Sequence, residues 1–436
     1  MLFQSRVVLL LHFVASMRFI EVNKEGTLVK RKSIVSYILI IAMMFTLIPI
    51  TVFADFDEAA VEASAKYDDV AVNKLVTKTN VLDLKAKSSV LMDAASGKIL
   101  NEKNSHEKLA IASVTKVMSM LLIMESIDSG KLSFEDKVSV SEYAAGMGGS
   151  QAYIEAGEEF TVTEMMKALA IHSSNDVTVA LAEKVSGSEE TFVADMNSKA
   201  EELGMKDTKF MDCTGLDDNG YSSAYDIAIM SRELVMKHPN VLKFTGTNHD
   251  TFRNGTFLLD NTNKLIRFYA NTDGLKTGFT NKAGFNLTAT TKRNNLRLIS
   301  VVLGEPDSNT RFAEARKLMD FGFANYEVVK LDQKGGLVGN VSVKKGTKLK
   351  VSAAYGSDTS ILVAKGEKGK IEKEILLVPG LTAPVIINQK VGDIIYKIDN
   401  DVVGKFDLVA NEGINKITFM NLLTRLTLRW FSVGRA

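Results

Sequence analysis

Three short sequences occur in a fixed order along the chain: Ser113-Val114-Thr115-Lys116, Ser173-Ser174-Asn175 and Lys276-Thr277-Gly278. Each is common alone. Together they constrain the fold, because one site can use all three only if distant segments of different secondary structure converge. Ser113 opens a helical run in which Val117, Met118, Met120, Leu121, Leu122 and Met124 are apolar, ending near Gly130. Residues 164–171 read as a helix that stops at His172, and a new helix begins at Asp176, so Ser173-Ser174-Asn175 falls on the connecting loop. Residues 88–93 and 98–100 flank Ala94-Ala95-Ser96-Gly97 as a hairpin, and 285–291 and 296–303 form a second across Lys292-Arg293-Asn294-Asn295. An amphipathic helix over 311–323 closes this part of the chain. Strands at both ends of a helical middle predict one antiparallel sheet, assembled from distant segments, with helices on its faces.

The chemistry of the three segments is complementary. A serine hydroxyl is a weak nucleophile near neutral pH and needs a base beside it. Lysine three residues after serine on a helix lies on the same face, so Lys116 can reach Ser113. Lysine is a base only when neutral, and burial or a second cation lowers its pKa; Lys276 is the candidate second cation. Ser173 can pass a proton between Lys116 and a leaving amine, and Asn175 can donate to a substrate amide. On a strand, Gly278 allows a substrate backbone to approach closely. Thr277 and Lys276 offer a hydroxyl and a positive charge to a carboxylate. The N–H groups of Phe279 and Ser113 can form an oxyanion hole. Read singly, Ser113 is equally a helix cap, Ser173 and Asn175 a turn, and Lys276-Thr277-Gly278 a β-turn; the combination favours a site.

Composition removes other classes. The 436 residues carry a formal net charge of +1. Residues 1–54 hold six basic and two acidic residues, leaving 47 basic against 50 acidic in the remainder, which gives no footprint for nucleic acid. A single cysteine, Cys213, precludes an internal disulfide and reads as a packed residue near a turn. The five histidines show no ligand spacing, so neither a metal nor a cofactor is expected.

The flanks read separately. Lys30-Arg31-Lys32, an apolar run over 37–52 and Val52-Phe53-Ala54 followed by acids form a signal peptide, with an N-terminal extension before it, so 1–54 is expected to direct export. Residues 55–81 read as a linker or first helix. The catalytic domain is assigned to 82–325. From 326 to 410, helical periodicity gives way to short β-rich runs (349–351, 360–363, 374–378, 384–387, 394–398) between turn residues, which predicts a small all-β domain. Over 411–436, Phe419, Leu422, Leu423, Leu426, Trp430 and Val433 share one helical face, and no acid follows Glu412 while Lys416, Arg425, Arg429 and Arg435 do. That is the pattern of an amphipathic helix lying on a membrane surface.

Taken with Asp273-Gly274-Leu275, with Asp176 after the second motif, and with Gly215-Leu216-Asp217 followed by Ser222-Ser223-Ala224-Tyr225-Asp226, the motifs closely resemble the low-molecular-weight penicillin-binding proteins that are serine D-Ala-D-Ala carboxypeptidases. The resemblance runs over about 82–410. It implies an α/β (α+β) β-lactamase/transpeptidase-like catalytic domain with a central antiparallel sheet, followed by the small all-β domain and the C-terminal amphipathic helix. It implies an acyl-enzyme on Ser113, Lys116 as proton acceptor, Ser173 and Asn175 supporting both half-reactions, and Lys276 with Thr277 holding the substrate carboxylate. The expected reaction removes the terminal D-alanine from peptidoglycan stem peptides ending in D-Ala-D-Ala, with β-lactam antibiotics as inhibitors, at the outer face of the bacterial cytoplasmic membrane or in the cell wall space. Ser174 stands where many relatives have Gly, which can alter the loop. A β-lactamase shares the motifs, but the E-x-x-L-N sequence of class A enzymes is absent. A D,D-endopeptidase differs only in its leaving group, and an inactive wall-peptide-binding scaffold is the alternative of another class.

Overall fold

The computed structural model describes residues 19–22, 28–31 and 82–433. Near the N-terminus, Phe19–Val22 pairs with Leu28–Arg31 as an antiparallel hairpin. The apolar run of the expected signal peptide and the 55–81 linker lie outside the described residues.

The catalytic region is built on five strands: β1 (Ser88–Asp93), β2 (Ile99–Lys103), β3 (Thr272–Thr280), β4 (Gly284–Arg293) and β5 (Leu296–Glu305). Their order is β2-β1-β5-β4-β3, antiparallel throughout. The chain therefore leaves the sheet after β2, builds a helical layer, and returns at the opposite edge with β3. Both faces of the sheet are covered, and the period of two along each strand divides its side chains between two cores. Val90, Met92, Ile299, Val301 and Leu303 join the helical core. Leu91, Leu298 and Val302 face the other way, against Phe312, Ala315, Leu318 and Met319. These last four belong to the closing helix, which extends over Ser308–Asn325, beyond the predicted span at both ends, with Asp307 capping its start.

The helical layer contains α1 (Lys116–Asp128), α2 (Asn175–Ser186), α3 (Glu189–Glu202) and α4 (Ala224–Lys237). α1 is buried on every side from Lys116 to Met124, so it runs through the core. The predicted helix over 164–171 is a short α-helix, Val162–Lys167, followed by a π-helical turn, Ala168–His172. That wider turn delivers Ser173 in the left-handed region, at φ 69°. α2 starts at Asn175, one residue earlier than expected.

From Tyr326 onward the chain is β structure. Strands 390–398, 401–410, 350–355, 337–344, 372–377 and 381–382 form a six-stranded sheet, and 326–330 pairs with 360–364. They enclose their own core around Val351, Ile394, Tyr396 and Leu408. One expected strand fails. Residues 384–387 are a turn in which Val385 makes a single bridge to Ile414, and Asn388 follows at φ 65°. Four strands went unforeseen: Tyr326–Lys330, the two-residue Leu381–Thr382, and Leu337–Lys344 and Asp401–Ala410, in which Gly339, Gly404 and Asp407 interrupt the alternation. The last helix, Phe419–Val433, has Phe419, Met420, Leu422, Leu423 and Leu428 exposed, while Arg425 donates to the Thr347 carbonyl at 2.6 Å. No helix among the described residues is long and apolar enough to cross a membrane.

Candidate active site

Ser113 sits on a single 3₁₀ turn, Ala112–Thr115, immediately before α1. Two glycines make that turn possible. A Cβ on Gly278 would lie 2.6 Å from the Ile111 carbonyl oxygen and 3.1 Å from the Ser113 nitrogen. A Cβ on Gly215, at φ 81°, would lie 2.0 Å from the Ala112 carbonyl oxygen. Gly278 was read from the sequence as room for substrate; its missing side chain is also room for the serine turn. Gly215 belongs to a segment the sequence marked only by resemblance.

Lys116 occupies the first position of α1 and has no exposed surface. Its Nζ donates to Ser113 Oγ at 3.1 Å, Asn175 Oδ1 at 2.6 Å and the Thr214 carbonyl at 2.8 Å. These acceptors are neutral, so no contacting carboxylate offsets the loss of water. Burial lowers the Lys116 pKa to about 8, against the pull of Cys213, Asp212 and Asp176. Lys276 was expected to be the cation that depresses Lys116. Repulsion between the two lysines is mutual; burial first, then the charges of Lys116 and Arg311, push Lys276 well below the ordinary lysine range. Its Nζ donates to the Thr277 carbonyl at 2.9 Å.

The second motif divides. The Asn175 amide is held at both ends, accepting from Lys116 and donating to the Gly148 carbonyl at 2.7 Å. Beside it, Asp176 accepts from the N–H groups of Ala152 and Ile154, fixing the 148–154 loop over the site. Ser173 is buried, but its hydroxyl hydrogen-bonds to neither Ser113 nor Lys116. The Ser174 backbone has an ordinary extended conformation, φ −62° and ψ 122°, so the loop does not require glycine there. Its hydroxyl is buried without a partner.

β3 is the sheet edge next to Ser113, and Lys276, Thr277 and Gly278 lie along it. Thr277 donates its hydroxyl to Thr262 at 2.7 Å. Phe279 is exposed and stacks on Phe285 with ring centroids 4.3 Å apart. Behind the strand, the buried Arg311 guanidinium donates to the Gly278 and Asn286 carbonyls at 3.3 and 3.2 Å.

The sequence reading missed the groups that act through backbone atoms. Asp212 accepts from the N–H groups of Thr214, Gly215 and Asp217, and so shapes the loop whose Thr214 carbonyl meets Lys116. An Asx turn ahead of Thr-Gly was the available signal. Among the described residues no cluster could hold a metal ion.

Comparison with known proteins fits this geometry. Residues 74–307 match the D-alanyl-D-alanine carboxypeptidase family, and 326–416 match the penicillin-binding protein 5 C-terminal domain. The chain is 46% identical over 358 residues to the D-alanyl-D-alanine carboxypeptidase DacF of Bacillus subtilis, covering 81% of this chain and 92% of that protein. It superposes on penicillin-binding protein 5 from Haemophilus influenzae with a TM-score of 0.68 at 32% identity, covering 77% of this chain and 99% of that one. The ampicillin-bound penicillin-binding protein D2 of Listeria monocytogenes is similar over 56% of this chain and 99% of its own, with 32% identity and a TM-score of 0.51. The paired lysines, the serine turn and the edge strand thus stand in a chain that belongs to the D-alanyl-D-alanine carboxypeptidase family, the penicillin-binding hydrolases of the bacterial cell wall.

Proposed function

We propose that Ser113 is the residue acylated when this carboxypeptidase releases the terminal D-alanine of a stem peptide. The observation that carries the assignment is the Lys116 Nζ, fully buried, charge-unpaired and 3.1 Å from Ser113 Oγ. Neutral Lys116 takes the hydroxyl proton as Oγ attacks the carbonyl of the penultimate D-alanine. The oxyanion is met by the N–H groups of Ser113 and Phe279. Ser173 relays the proton to the departing amine, and Asn175 orients Lys116 and the peptide amide. Lys276 and Thr277 receive the terminal carboxylate, the negative charge of which stabilises the lysine's cationic form. Water then cleaves the ester by the same proton path in reverse. A penicillin enters the same sequence and stalls at the ester.

The chain is further read as exported through 1–54, tethered by the 55–81 linker, with catalytic and β domains over 82–325 and 326–410. The 411–436 segment holds it at the outer face of the cytoplasmic membrane. The exposed apolar residues of the last helix and its basic neighbours support that placement.

Fluorescent penicillin followed by peptide mass spectrometry tests the site. A stable adduct on Ser113, absent in Ser113→Ala, is expected, together with D-alanine release from a pentapeptide. An adduct on another residue overturns the assignment, and rapid penicillin hydrolysis without adduct indicates a β-lactamase.

A further inference from the structure

At the end of the β domain, two turns flank the segment that leads into the last helix. The first, 345–349, is joined to it by a bridge between Gly346 and Lys416, by Thr347 N–H to the Asn415 carbonyl and by Ile417 N–H to the Lys345 carbonyl. The second, 385–389, is joined through reciprocal Val385–Ile414 backbone hydrogen bonds. It is also internally fixed: Ile386 N–H donates to Gln389 Oε1, Gln389 N–H to the Ile386 carbonyl, and Asn388 N–H to the Ala410 carbonyl. This rigid turn presents Ile386 and Ile387 to solvent, 69% and 56% exposed, and the neighbouring turn presents Leu349 at 59%. Isoleucines pinned outward in adjacent positions gain nothing from the domain's own core. The charge around the first turn is one-sided. Lys344, Lys345, Lys348, Lys350 and Lys416 lie in the 345–349 turn or beside it, against Glu412, which pairs with Lys348.

We propose that this end of the β domain is a second membrane contact: Ile386, Ile387 and Leu349 enter the headgroup–acyl boundary while the surrounding lysines meet anionic headgroups. The inference rests on reading the last helix as membrane-bound, since the two turns brace the start of that helix and so share its approach to the surface. Apolar area and attraction to anionic lipid both add to interfacial binding. With a second contact the β domain is seated on the bilayer by the turns as well as by the helix.

The test uses the full chain on phosphatidylcholine–phosphatidylglycerol vesicles. Cys213 is the sole cysteine and is buried, so Ile386→Cys, Leu423→Cys and Leu258→Cys each offer one reactive thiol for an environment-sensitive fluorophore. A blue shift and quenching by bromolipid at 386 and 423, with no change at 258, is expected. Quenching at 423 but not at 386 overturns the proposal and leaves the helix reading standing. Quenching at neither overturns both. Quenching at 386 alone supports the turn contact and removes the helix. Ile386→Asp with Ile387→Asp is expected to weaken vesicle partitioning by about tenfold or more, with penicillin labelling of Ser113 unchanged as evidence that the chain folds. Unchanged partitioning in that variant also overturns the proposal.

Discussion

The two domains hold lysines in opposite ways, buried without a counter-charge in one and exposed beside a carboxylate in the other. In the catalytic domain, Lys116 and Lys276 lie out of water among neutral acceptors, and both have lowered pKa values. In the β domain, Lys373 meets Asp332 at 2.8 Å, and Asp332 also accepts from Tyr396 at 2.6 Å. Burial pulls the Lys373 pKa down, but the hydrogen bonds with Asp332 and Tyr355 outweigh it and leave the pKa raised. A paired lysine is a structural clamp that stays charged. An unpaired, buried one has its charged form disfavoured, at the expense of stability, which suits the role proposed for Lys116.

The comparison breaks most visibly if the unpaired lysine is dispensable. Ser113→Ala is expected to abolish penicillin labelling, and Lys116→Met to lower D-alanine release by ~10³-fold or more, whereas Lys373→Met leaves both unchanged. Gly278→Ala comes next. The added methyl must displace the Ile111 carbonyl or the serine turn, and misplacing the nucleophile by about 1 Å is expected to slow acylation by on the order of 10²-fold. Fluorescent-penicillin kinetics read this, and an unaltered rate refutes the clamp on Ser113.

The pH response sharpens the contrast. With Lys116 as the proposed base, the acylation rate is expected to rise about tenfold per pH unit below its midpoint and to level off above about 8. The same group ties stability to pH. Its folded pKa lies below the unfolded one, so the unfolded chain holds more protons in the window from about 8 to 10.5. The wild type should therefore gain stability relative to Lys116→Met as pH rises through that window, by at most ~1.4 kcal/mol per unit. Parallel denaturation curves at several pH values check the sign. Smallest is Tyr396→Phe, which removes the hydrogen bonds to Asp332 and Thr359. A loss of about 1–2 kcal/mol in stability is expected, with labelling untouched.

Legibility in the sequence followed the carrier of the information. Side-chain chemistry in motifs was readable: Ser113 and Lys116 are in hydrogen-bond contact, and Asn175 joins them. The antiparallel sheet was readable because its strands are short runs, buried on both faces, bracketed by turn residues. Backbone-mediated features were not. The Thr214 and Gly148 carbonyls leave no residue-type signature, and the π-helical turn before Ser173 widens a helix that composition alone describes as ordinary. In the β domain, Gly404 hides a strand, since a Cβ there would lie 2.5 Å from Ile361 Cγ2. The apolar run 384–387 suggested a strand where a turn exists, because isoleucines facing solvent imitate a buried edge.

The pair of glycines around the Ser113 turn also limits how the enzyme can change. Gly215 and Gly278 leave no slack on either side of the nucleophile, so a substitution that reshapes the floor of the site disables the enzyme along with its sensitivity to β-lactams. Room for variation lies with the exposed neighbours of those glycines, Leu216 and Phe279. With Ser113 as the proposed nucleophile, variants that tell a bulky inhibitor from the natural peptide are therefore expected at this rim.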